Sequence, residues 1–108
     1  MNEAAPDSAG SGIVIEKVMT LSQSEYAKSI AAFAGEAAGQ AAARGEPVTL
    51  PAGAGEVTIT FTKIEGFSFS GLIELPRARV VLEFKNVRQA EAHELLHRFD
   101  IAFQRGGG

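Results

Sequence analysis

The sequence predicts an α+β fold: a two-layer sandwich in which an antiparallel sheet of about 4–5 strands carries two helices on one face, in the order β-α-(β)-β-β-β-α. Three observations carry this expectation. Two-residue alternation of apolar and polar side chains runs from Val57 to Lys85, interrupted only by turn-forming residues. Two stretches with helical spacing, each opened by a capping-box pattern, stand before and after it. A chain of 108 residues with 45% hydrophobic and 21% charged side chains has room for one core and one domain. Residues 1–12 are Ala, Gly, Ser, Pro and acid without periodicity and read as a disordered N-terminal tail. Residues 13–104 read as the single domain, and 105–108, ending in three glycines, as a flexible C-terminal tail.

Ile13 to Thr20 places apolar residues on both alternating sets, Ile13/Ile15 and Val14/Val18. That is the pattern of a strand covered on both sides or lying mid-sheet. Ser22 and Glu25 form a capping box, after which Tyr26, Ile30, Phe33, Ala37 and Ala41 recur at helical spacing up to Arg44-Gly45. One helix is expected over 23–44. Gly35 and Gly39 fall near the far side of it with Ala31, Ala32 and Ala38. They read as a solvated, alanine-rich back in which glycine weakens or breaks the helix; the sharper alternative is a small-residue surface for the close approach of another helix, from a second subunit.

Pro47–Leu50 fits a short strand or edge segment, and Pro51–Gly55 a hairpin connection. Gly53 and Gly55 lack the third glycine and following helix of a phosphate-cradling loop. Val57, Ile59 and Phe61 then face one way and Thr58, Thr60 and Thr62 the other. Glu65-Gly66 is expected to turn the chain into a second strand with Phe67, Phe69, Ile73 and Leu75, and Pro76-Arg77 to turn it again before Val80, Leu82 and Phe84. The result is a three-strand meander with an apolar face and a Thr/Ser face. Asn86, with Gln89 completing a box, is expected to cap a second helix whose apolar stripe is Ala92, Leu95, Leu96, Phe99, Ala102 and Phe103.

Cysteine is absent, which excludes disulfides and thiolate-bound metal and suits a reducing compartment. No apolar run approaches the ~20 residues of a membrane span, and the first twelve residues have no signal-peptide pattern, so a cytoplasmic location is expected. The net charge of −3 divides into −4 over residues 1–62 and +1 over 63–108. Arg77, Arg79, Lys85 and Arg88 cluster, but Glu74, Glu83 and Glu91 are interleaved with them, which argues against nucleic acid as a partner.

His93-Glu94-Leu95-Leu96-His97 holds the only two histidines of the chain. At i, i+4 on a helix, two imidazoles share one side within reach of a tetrahedral zinc ion. These five residues resemble the HExxH zinc peptidases. The resemblance implies His93 and His97 as metal ligands, Zn as cofactor and Glu94 as general base. Around the five residues the pattern departs from that family: Glu91 and Arg98 charge the flanks, and Asp100 and Phe103 stand where the extended form has Gly and His. Asp100 at i+7, or a distant carboxylate such as Glu83, would have to serve as third ligand. The apolar stripe centres between Leu96 and Phe99, so the histidines are expected ~100–140° round from it, toward solvent.

The preferred reading is therefore a non-catalytic protein-interaction module with no cofactor, catalytic residue or metal. It is expected to self-associate as a homodimer through a sheet edge or through the Thr/Ser face of Thr58, Thr60, Thr62, Ser68 and Ser70, where Ile64, Leu72 and Val81 add apolar points. The alternative is a zinc-dependent hydrolase using residues 93–97.

Overall fold

A computed structural model describes residues 12–106. Among these the chain forms three helices and one antiparallel sheet, in the order β1 (Ile13–Met19), α1 (Gln23–Ala34), α2 (Glu36–Ala43), β2 (Val48–Ala52), β3 (Gly55–Phe69), β4 (Ile73–Lys85) and α3 (Gln89–Gly106). The sheet order is β1-β4-β3-β2. The expected α+β sandwich is present, with three helices where two were expected. Of the two expected tails, 1–11 and 107–108 lie outside the described residues, and α3 runs on through Gly106.

The core lies between the helices and one face of the sheet. Val57 and Ile59 of β3 and Ala78, Val80, Leu82 and Phe84 of β4 point inward and are fully buried. Opposite them stand Tyr26 and Ile30 of α1 and Ala92, Leu95, Phe99 and Phe103 of α3. Aromatic rings tie the helices together: Phe99 meets Phe33 edge-on at 5.5 Å between centroids and stacks on Phe103 at 4.2 Å. Such geometries suit the ring quadrupole, and each ring also buries a large apolar area.

The expected single helix over 23–44 is two helices. Its start is as the sequence indicates: the Glu25 N–H donates to Ser22 Oγ (3.2 Å) and the Ser22 N–H to Glu25 Oε1 (2.8 Å). It ends at Gly35, whose φ of +102° is open to glycine and strained for other residues. α2 then folds back on α1, so that the Gln23 side-chain amide at the start of α1 donates to the Ala42 carbonyl at the end of α2 (3.3 Å). A Cβ at Gly39 would sit 2.6 Å from that of Ala31. The small residues thus serve a close helix–helix approach, and the second helix belongs to the same chain.

The expected three-strand meander is a single long hairpin. β3 and β4 have 15 and 13 residues and pair from Glu56↔Lys85 out to Phe69↔Ile73. The chain turns at Ser70-Gly71-Leu72, where Ser70 (φ +51°) and Gly71 (φ +70°) take the left-handed conformation that tight hairpins require. Glu65-Gly66 is a bulge instead of a turn, the ladder stepping from Ile64↔Arg77 to Phe67↔Leu75. Two residues of β3 therefore face one of β4, and that one is Pro76, which has no N–H to give to the ladder.

β1 pairs with Ala78–Phe84 at one margin of the sheet, and β2 with Gly55–Ile59 at the other. β1 is consequently an edge strand, not the doubly covered one its composition suggests. The sheet tapers from four strands to three, and past Lys63↔Ala78 to the bare hairpin. This two-stranded arm gives the molecule extents of 53 × 30 × 22 Å and a radius of gyration of 15.2 Å, against about 12–13 Å for a compact domain of this length.

The helix after β4 also starts later than expected. Asn86 takes a left-handed turn (φ +59°), α3 begins at Gln89, and the Arg88 N–H donates to Glu91 Oε1 (3.3 Å). The Glu91 carboxylate, not the Gln89 amide, is the side chain that reaches back to the helix entrance.

Candidate interaction surface

The face of the sheet turned away from the helices is uncovered among the described residues. Strand alternation brings rows of side chains across it: Val14, Glu83, Thr58 and Thr49 in one, Glu16, Val81 and Thr60 in the next, Val18, Arg79 and Thr62 in a third. Val14 and Val18 are 60% and 51% exposed. Polar groups in the rows satisfy one another, since the Thr49 and Thr58 hydroxyls lie 3.1 Å apart and the Arg79 guanidinium donates to the Glu16 carboxylate. Exposed ion pairs of this sort stabilise by about 0–1 kcal/mol, so their effect here is to balance charge on the face.

The bulge changes which residues the arm presents. β4 alternates without interruption, so Leu75 and Arg77 share the side of Arg79; Phe67, opposite Leu75, joins Ile64 and the threonines. Ser68, opposite Glu74, moves to the other side, and Ser70 sits in the turn. The expected Thr/Ser face is therefore a threonine face over the sheet, with apolar residues along the arm. Leu72 at the tip is 88% exposed, Ile73 56% and Phe67 48%. Exposed apolar groups gathered on one projecting element are unusual for a surface with no partner. The sequence signal for this arm was Ser70-Gly71, a turn dipeptide lying between alternating hydrophobics.

His93, Glu94 and His97 are all exposed on α3, on the side away from the core that helical periodicity indicates. The two carboxylates weighed as a third ligand lie elsewhere. Asp100 is paired with Lys17 of β1 (3.3 Å), and Glu83 points from the open face, with the sheet between it and α3. Among the described residues no group of three His, Cys, Asp or Glu side chains is placed to hold a metal ion. Glu94 lines a shallow cleft of about 290 Å³ between α3 and the β2–β3 turn, together with Pro51, Gly53, Glu91, Leu95 and Arg98; neither histidine borders it.

Tyr26 is 1% exposed with its hydroxyl unpaired among the described residues, and burial pushes its pKa far above the ordinary phenol value. Its ring lies 4.6 Å from Phe61 and 6.0 Å from Phe103. It is a core residue with an orphaned polar end. No helix among the described residues is long and apolar enough to cross a membrane. No protein-family model, curated protein or solved structure matches the chain.

Proposed function

We propose that this domain is a non-catalytic protein-interaction module that associates first with itself, through the open side and the margins of its sheet. The observation that carries the reading is the asymmetry of the sheet. One face buries eight strand residues under helices, whereas the other is left open with Val14 and Val18 more than half exposed and continues into an arm tipped by Leu72 and Ile73. A sheet with one wet face is ordinary; a wet face bearing these apolar points on an extended ribbon fits a surface awaiting a partner. The charge balance of the face disfavours nucleic acid, because Arg79 is engaged by Glu16 and its neighbour Glu83 is acidic. A cytoplasmic setting suits a chain without cysteine.

The test is the mass of the particle in solution, by sedimentation or light scattering over a dilution series. A mass twice the 11.3 kDa of the chain, falling on dilution, is the expected result. A monomer at every concentration overturns the self-association.

A further inference from the structure

Among the described residues, four lengths of strand edge have no neighbouring strand: β2, β3 beyond Ile59, β4 from Arg77 to the tip, and β1. Open edges template the addition of another strand, and proteins guard them with proline, bulges or charge. Three of the four are guarded in the backbone. β2 contains Pro51, and the Glu65-Gly66 bulge, with Pro76 opposite it, bends and twists both free edges of the β3–β4 ribbon. β1 has no such interruption: Ile-Val-Ile-Glu-Lys-Val-Met pairs in unbroken register with β4. Its inward-facing charge, Lys17, would ordinarily repel an incoming strand, but Asp100 of α3 holds it at 3.3 Å; its outward charge, Glu16, is held by Arg79.

We propose that β1 pairs edge to edge with β1 of a second copy, antiparallel about a two-fold axis at Glu16, so that one sheet runs through both protomers. This rests on the reading of the domain as a self-associating module and names the edge that does it. The register follows from the strand itself. A two-fold axis normal to the sheet pairs residues on matching faces, and placed at Glu16 it pairs all seven. Val14 then meets Val18 on the open face, Ile13 meets Met19 on the helix side, and Ile15 meets Lys17. An axis at Lys17 would leave Ile13 and Val14 without partners. An axis at Ile15 would leave Val18 and Met19 without partners. At Glu16 the two carboxylates are flanked by two Arg79 guanidiniums, so the row is charge-balanced.

The chain has no cysteine, so an introduced thiol reports on its own position. Directly opposed residues of an antiparallel pair have Cα atoms about 4.5–5.5 Å apart, within the ~4.4–6.8 Å that a disulfide spans. Under mild oxidation Glu16→Cys is expected to become largely covalent dimer. Ile15→Cys faces its own copy only across the diagonal, about 7–8 Å away, and is expected to remain uncrosslinked, as is Thr58→Cys in mid-sheet, between Thr49 and Glu83. The double variant Val14→Cys, Val18→Cys repeats the test on either side of the axis without touching the Glu16–Arg79 pair, and is expected to crosslink too. An unmodified chain that is dimeric, with neither variant crosslinking, overturns the β1 pairing and leaves self-association to another surface. An unmodified chain that is monomeric throughout overturns both.

Discussion

The two ends of the β3–β4 hairpin are built from the same pair of strands and live in different environments. At its base, Val57, Ile59, Leu82 and Phe84 are fully buried beneath α1 and α3, and β1 and β2 flank the pair. At its far end, Leu72 and Ile73 are more than half exposed, and among the described residues no further strand flanks the hairpin. Apolar content does not distinguish the two ends; cover does. A two-stranded ribbon is marginal by itself in water, so the arm persists because the base holds its strands in register. The difference separates residues that stabilise the fold from residues that are free to bind.

Substitutions at the base should have the largest effects. Phe99→Ala removes a buried ring that touches both Phe33 and Phe103, and is expected to lower unfolding free energy by about 3–5 kcal/mol, read from urea denaturation. A loss comparable to that of Leu72→Ala would erase the distinction between base and arm.

Gly39→Ala probes the layer above the base. Alanine favours helix by ~1 kcal/mol over glycine, but its Cβ would press on Ala31 at 2.6 Å, and overpacking of this kind costs about 1–3 kcal/mol. Net destabilisation is expected in thermal melting. A stabilised variant would mean that α2 can back away from α1.

Tyr26 is the only tyrosine, so alkaline titration followed by phenolate absorbance reads the core directly. Its folded pKa is raised above the unfolded value of about 10, so the neutral phenol is the form the fold prefers. The stability it contributes is complete below pH ~10 and is lost as the pH rises beyond that, toward the folded pKa. Phenolate should therefore appear together with loss of structure. A smooth titration near pH 10 in the folded protein would show the hydroxyl to be wet.

The smallest effects belong to the arm. Leu72→Ala is expected to change stability by no more than about 0.5 kcal/mol. Excising residues 64–77 and joining Lys63 to Ala78, which face each other in the ladder, through Asn-Gly should leave a folded domain that keeps its helical far-ultraviolet signal and melts cooperatively. Unfolding of that variant would show that the arm supports the base.

Element types were largely readable because burial writes itself into periodicity. Tyr26, Ile30, Phe99 and Phe103 recur at helical spacing, and Val57, Ile59, Leu82 and Phe84 alternate, since one face of each element is covered. Connections were harder to read. Glu65-Gly66 and Ser70-Gly71 are both plausible turns, and what separates them is long-range: Pro76 can stand opposite a bulge, so the ladder continues past the first pair and reverses at the second. Gly35 and Gly39 resemble a helix with a weak back, because nothing local reveals that α2 folds onto α1. The exposure of Val14 and Val18 was hidden for a similar reason, as β-branched residues suit an edge strand as well as a central one. The outward position of His93 and His97 followed directly from the stripe, whereas the removal of Asp100 to Lys17 and of Glu83 to the far face needed the fold.

The pairing of β1 with β4 also sets an order of events. β1 is the first of these elements to be made, yet Ile13 must wait for Phe84, and Met19 for Ala78, before either has a neighbour. The α1–α2 turnback and the β3–β4 hairpin close short loops and can form early; closing the long loop that docks β1 comes at the greatest entropic cost. A nascent chain thus carries an unpaired, β-branched strand from the emergence of β1 until β4 follows it. That strand is the segment most exposed to mispairing with another ribosome's product, and slowing the formation of the hairpin should lengthen the exposure.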